Sequence, residues 1–208
     1  MKATVVGILL AAFALACVKA DNEHTQCYKY FLNKDHCVQA TGVEADRCTK
    51  KESHELESVR LMTIQSGGSG RLQRRYNGPA TVAEHATQIY SCPGLKPDPN
   101  GYEVCVWAGD GNGSKNTGWL DKANKVNCGK QVYIQRKDDK KSVQYATITG
   151  GCDFGNVKPE SGCFQIGINQ PLFESFKPSQ GEKDKKLIAS MTWDFNNLNF
   201  DNPKNAAY

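Results

Sequence analysis

Eight cysteines spread along the chain behind an apolar leader constrain this sequence more than any other feature. Met1 to Ala20 has the three parts of a secretory signal: Lys2, an almost purely apolar run from Ala3 to Val18, and small residues at Val18 and Ala20. The run is short for a bilayer span, and no later segment approaches the roughly 20 apolar residues a span requires. Cleavage after Ala20 is expected, leaving Asp21 to Tyr208 with no membrane attachment. Cys17 leaves with the leader. The remaining cysteines are Cys27, Cys37, Cys48, Cys92, Cys105, Cys128, Cys152 and Cys163, with no CxxC pair among them. A zinc site usually has such close ligand pairs, so no metal and no cofactor are expected. An even set behind a secretory leader reads as a disulfide framework with every thiol oxidised and Cys152 and Cys163 tied into the fold. Spacing alone does not choose the partners.

Charge narrows the class of function. Lys2 and Lys19 leave with the leader, so the rest carries two fewer than the 26 Lys and Arg of the full chain, against 22 Asp and Glu. That balance gives no argument for nucleic acid as a partner. The length suits one domain with a sizeable core and an extension, in a secreted monomer.

Hydrophobic periodicity divides the chain. Residues 21–65 read as a cysteine-containing extension with three of the four histidines. Within it, Leu56, Val59 and Met62 suggest a short helix over Lys51 to Gln65. Residues 66–75 form a glycine-rich, basic joint, where Arg74-Arg75 is either a processing site or a solvated charge cluster. Residues 76–196 read as the main domain and 197–208 as a tail. Thr81 to Tyr90 suggests a second helix, Cys92 to Asn100 a proline-broken loop, and Val104 to Trp107 a buried strand. Gly109 to Thr117 is a glycine-rich surface loop carrying a glycosylation acceptor at Asn112. From Gln131 the pattern is β. Gln131 to Arg136 and Ser142 to Thr149 alternate around a charged turn and predict a hairpin. Gly150 to Gly162 reads as a loop, followed by a strand at Phe164, Ile166 and Ile168. Asn169 caps a short helix with Pro171 near its start. Gly181 lies in a charged turn, and Leu187 to Phe195 is a last strand. Many short strands with little helix favour a compact β-barrel.

Four segments carry a family resemblance: Cys128-Gly129-Lys130-Gln131-Val132-Tyr133-Ile134; Ala146-Thr147-Ile148-Thr149-Gly150-Gly151-Cys152; Cys163-Phe164-Gln165-Ile166-Gly167-Ile168-Asn169-Gln170-Pro171-Leu172-Phe173; and Met191-Thr192-Trp193-Asp194-Phe195. Their order and spacing resemble the double-psi β-barrel family of expansin-like, rare-lipoprotein-A-like and kiwellin-like secreted proteins, best over residues 128–195. The resemblance implies a mainly β fold, a six-stranded double-psi barrel with short helices, behind a disulfide-containing N-terminal extension.

In the resembling enzymes two aspartates work in an open groove, one as the general acid without which a sugar departs as a poor alkoxide. Here those positions are Gly150 and Gly167. The expectation is therefore a non-enzymatic protein. Gly150→Asp is expected to be tolerated if Gly150 has ordinary backbone angles. Asp153 is the one relocated acid considered, and Asp194 is expected to point outward. Binding takes the place of catalysis, because aromatic faces bury the C–H surface of sugar rings. Trp107 and Trp119 are the candidate stacking residues, and Trp193 belongs to the core. The partner is a cell-wall polysaccharide or a protein of another organism, as for a secreted effector. A wall-loosening or glycan-cleaving protein acting through Asp153, and a kiwellin-like inhibitor or defence protein, are the competing readings. His24, His36, His54 and His85 read as surface residues.

Overall fold

The computed structural model describes residues 24–49, 59–65, 86–109, 118–155, 158–197 and 200–208. Among these, the chain builds β1 (Val59–Gln65), β2 (Ala86–Ser91), β3 (Glu103–Trp107), β4 (Gln131–Arg136), β5 (Asp139–Asp153), β6 (Ile166–Ile168) and β7 (Leu187–Phe195). Its helices are α1 (Gln26–Asp35), α2 (Pro159–Gly162), α3 (Gln170–Ser175) and α4 (Gln180–Lys185), with 3-10 turns at Glu44–Asp46 and Pro203–Asn205. The fold is mainly β. The expectation of six strands undercounts it: seven join one mixed sheet in the order β2-β1-β6-β3-β5-β4-β7, and β2 also pairs with β5 and β1 with β7.

The hairpin follows the predicted alternation. Val132 faces Ala146 and Tyr133 faces Tyr145 across β4 and β5. Val132, Ile134, Ala146 and Ile148 lie in the core. The Ser142 hydroxyl pins the turn by accepting from the Arg136 N–H at 2.8 Å and donating to the Asp139 carbonyl at 2.6 Å. β5 does not end at Thr149 but runs on to Asp153, pairing with β3 in parallel and with β2 antiparallel. The core gathers Trp107, Ile148, Phe154, Ile166, Ile168, Phe173 and Phe195, all essentially without solvent exposure. Each such burial contributes about 2–3 kcal/mol relative to an exposed side chain.

Two expected helices are strands where the structure describes them. Residues 59–65 form β1, held by β6 and β2 in parallel and β7 antiparallel. Residues 86–91 form β2 between β1 and β5. Pairing on both edges outweighs the weak three-residue apolar spacing that suggested helices. The expected extension 21–65 therefore donates a strand to the sheet. Gly181 lies in α4 rather than a turn; Ser179 caps that helix and makes a reciprocal capping box with Glu182. Asn169 caps α3 as expected, accepting from the Leu172 N–H. The processing pair Arg74-Arg75 and the acceptor Asn112 lie outside the described residues.

The eight described cysteines are all paired: Cys27–Cys163, Cys37–Cys48, Cys92–Cys128 and Cys105–Cys152. Cys152 is thus bound to β3 and Cys163 to α1. The N-terminal segment is a clasp on the sheet. Thr25 caps α1, and Cys27 N–H donates to Gly118 O at 3.2 Å. The buried Tyr28 hydroxyl meets Thr41 Oγ1 and donates to Asp46 Oδ2, each at 2.7 Å. Burial raises the Tyr28 phenol far above its ordinary range.

The tail is part of this clasp. Thr41 bridges to Ala207, and Asn197 Nδ2 donates to the Ala40 and Thr41 carbonyls at 3.3 Å. The Tyr208 carbonyl accepts from Thr25 Oγ1 and Asn127 Nδ2. Lys130 Nζ donates to Asn127 Oδ1 at 2.9 Å and to Ala206 O at 2.6 Å, and burial lowers its ammonium to about 8. Among the described residues, no helix is long and apolar enough to cross a membrane.

Candidate functional site

The two glycines at the expected acid positions are closed off. Gly150 has an ordinary φ, yet a Cβ on it would collide with the Tyr90 carbonyl and the Gln88 amide. β2 lies against this stretch, with Ser91 paired to Gly150 and Tyr90 to Gly151. Gln88 Nε2 fills the remaining space, donating to Tyr90 O at 3.3 Å and Thr149 O at 3.4 Å. At Gly167 a Cβ would stand 2.6 Å from Ala86 Cβ and 2.7 Å from Cys105 Sγ. The expectation that Gly150→Asp fits because its backbone is ordinary does not hold: the obstacle is space, not φ.

The tryptophans chosen as sugar platforms are core residues. Trp107 and Trp119 are 1% and 4% exposed, so neither ring presents a free face. Trp119 Nε1 donates to Cys163 O and Trp193 Nε1 to Phe164 O, both at 2.8 Å. The two indoles thereby satisfy consecutive carbonyls of the segment leading into β6, which accounts for tryptophan at both positions. Trp193 is in the core as expected. Asp153, the relocated acid, is half-buried at the end of β5, and its Oδ1 accepts the Gly155 N–H at 2.8 Å. That bond makes it a turn-stabilising residue.

The polar side chains that do assemble lie on one face of β5, β4 and β7. Tyr145 on β5 stands opposite Tyr133 on β4, which stands opposite Asp194 on β7. Next in register are Thr147, Gln131 and the segment after β7, where Asn196 Nδ2 donates to Gln131 Oε1 at 2.6 Å. Tyr145 is the most exposed aromatic among the described residues, at 50%. Asp194 alternates with the buried Trp193 and Phe195 and is itself only partly buried. Burial pushes its carboxyl up to about 7, partly offset by the Phe195 N–H that it accepts at 2.7 Å. Burial, then the Asp194 charge, raises the Tyr133 phenol well beyond its ordinary value. The face thus offers a free aromatic ring, amides, and a carboxyl able to hold a proton near neutrality. The alternation from Ser142 to Thr149 puts Tyr145 on one face of its strand but does not single it out as a site residue.

A second aromatic group joins α1 to the segment before β6. Tyr30, Phe31 and Phe164 are half-buried and pack edge to face, with Phe31 stacked on Trp119. Their faces are used on one another. His24 is not a free surface histidine: it stacks on Tyr28 at 3.9 Å, and burial lowers its pKa. His36 is exposed, while His54 and His85 lie outside the described residues. No group of three metal-binding side chains occurs among the described residues. A scan against models of known protein families finds no match to this chain, and no curated protein matches it.

Proposed function

We propose that this is a secreted, non-catalytic binding protein on a double-psi β-barrel, taking a polysaccharide at the exposed Tyr145 of the β5–β4–β7 face. The barrel reading draws support from the strand pairing. The path β1–β6–β3–β5–β4–β7 returns to β1, so six strands form a closed circuit and β2 braces it from β1 to β5. The four resembling segments fall on β4, on β5, on β6 with α3, and on β7. Four disulfides are compatible with an extracellular setting.

The observation that carries the non-catalytic reading is the missing space at Gly150 and Gly167. A general acid cannot stand where no side chain fits. Binding remains, with the half-exposed Tyr145 ring as its stacking surface. The test incubates the purified protein with cellulose, xylan and glucomannan, measuring reducing ends in the supernatant and protein on the pellet. No sugar release and retention on a polymer are expected, with retention reduced several-fold by Tyr145→Ala. Sustained release by the wild type, abolished by Asp153→Asn, would sink the proposal in favour of a cleaving enzyme.

A further inference from the structure

The near-even overall charge conceals a polarised molecule. One end of the sheet collects seven exposed lysines: Lys137, Lys140 and Lys141 at the β4–β5 turn, Lys177 after α3, and Lys183, Lys185 and Lys186 on and after α4. Arg136 draws these segments together. Its guanidinium donates to the Glu182 carboxylate at 3.1 Å and to the Phe176 carbonyl at 3.1 Å, while Lys137 N–H reaches Ser190 O at 2.9 Å. Arg136 and Glu182 neutralise one another. The exposed acids of the same segments are four: Asp138, Asp139, Glu174 and Asp184. Three of them accept neutral N–H donors, from the Lys141 backbone, Gln170 and Gln180. Within the described residues none of the seven lysines makes an ion pair.

The backbone at this end is also unusual. Lys177, Lys186 and Ser190 have φ of 50°, 49° and 56°. Lys177 and Lys186 follow the helices α3 and α4, where glycine or asparagine is the usual residue in that conformation. A lysine there is less favourable than glycine, and both side chains are exposed.

We infer that this end binds an acidic polysaccharide, one carrying carboxylates along its backbone. The inference rests on the reading of the protein as a polysaccharide binder and names the class of polymer. Lysine ammonium groups act as hydrated point charges, which suits a flexible array of carboxylates better than bidentate recognition of phosphate. A membrane surface is disfavoured because the large exposed apolar side chains, Leu95, Tyr145 and Phe200, all lie outside these segments. Multiple weak charge contacts release counterions, so binding falls steeply with salt.

The test compares polygalacturonate with its fully methyl-esterified form, which keeps the chain and removes the charge. Wild type should bind the acid form at low salt, lose it on raising salt, and ignore the ester. Lys137→Gln/Lys140→Gln/Lys141→Gln should weaken binding about tenfold or more and flatten the salt dependence. The matching Lys→Arg triple should retain binding. Lys122→Gln/Lys125→Gln/Lys204→Gln, at exposed lysines elsewhere, should behave as wild type, with melting curves verifying that each variant is folded. Equal retention on ester and acid, or on cellulose alone, overturns the inference and leaves the non-catalytic reading standing. Binding to anionic phospholipid vesicles without binding to polygalacturonate overturns it in favour of a membrane surface. Release of reducing ends would overturn the non-catalytic reading while leaving the charge test to be judged on its own result.

Discussion

The hairpin region and the clasp are held together by different kinds of information. From Gln131 to Phe195 stability is repetitive: alternating side chains enter the core and neighbouring strands satisfy the backbone. From His24 to Thr49 it is singular, resting on two disulfides, one tyrosine hydroxyl and a few hydrogen bonds to Asn197, Ala207 and Tyr208. Repetition tolerates the loss of one member, whereas a singular joint fails when its one bond is cut. Substitutions in the two regions should therefore differ in kind.

The largest expected effect comes from cutting the bond between the regions. Cys27→Ser/Cys163→Ser opens a cross-link spanning 136 residues, and the loss should be about 4–5 kcal/mol in non-reducing denaturant unfolding. Cys37→Ser/Cys48→Ser, across 11 residues, should cost measurably less. Equal losses would show that the clasp does not depend on its anchor to the sheet.

Second in size is a pH effect within the repetitive region. Folded Asp194 holds its proton up to about pH 7, whereas its ordinary value is 3.8. The native state then binds more protons than the unfolded chain in that window. Stability should fall as pH rises from about 4 to 7, by on the order of a few kcal/mol. Asp194→Asn should flatten this slope in unfolding midpoints across that range. An unchanged slope would assign the pH dependence to other groups.

Next is Gly167→Ala, whose added methyl meets Ala86 and Cys105; it should cost about 1–3 kcal/mol by overpacking. Full stability in this variant would mean that space for a side chain exists at the old acid position. The smallest is Tyr28→Phe in the clasp, which deletes the hydroxyl shared by Thr41 and Asp46 and should cost about 1 kcal/mol. A larger loss would show that the clasp unfolds as one unit with the sheet.

How far the sequence could be read follows the same division. β4, β7, the hairpin and the Asn169 cap were legible because period-two alternation and a capping residue are local signals. β1 and β2 were not, since strands paired on both edges lose alternation, and Leu56, Val59 and Met62 imitate a helical face. α4 has no apolar stripe at all, yet Ser179 and Glu182 carried its start signal. At the site, the sequence located Gly150 and Gly167 but not what fills the space above them: the Tyr90 carbonyl and Gln88 at the first, the Ala86 methyl and the Cys105 sulfur at the second. Trp107 and Trp119 were placed wrongly because a tryptophan beside a glycine-rich loop looks exposed. The Cys163 carbonyl and the rings of Phe31 and Phe195, all distant in sequence, hold Trp119 inside. Tyr28 and Lys130 owe their roles to partners far away in sequence, which no local pattern encodes.

The Cys27–Cys163 bond also orders events during synthesis. Cys27 emerges first, and its partner follows only 136 residues later. Where thiols oxidise as the chain emerges, Cys37 and Cys48 appear beside it long before Cys163 does. Those two have each other as native partners, 11 residues apart, and can close at once. An early bond from Cys27 to either neighbour would leave two thiols waiting and keep α1 off the sheet. Maturation of this protein should thus be paced by thiol–disulfide reshuffling, on the scale of seconds to hours set by the oxidant and the isomerase.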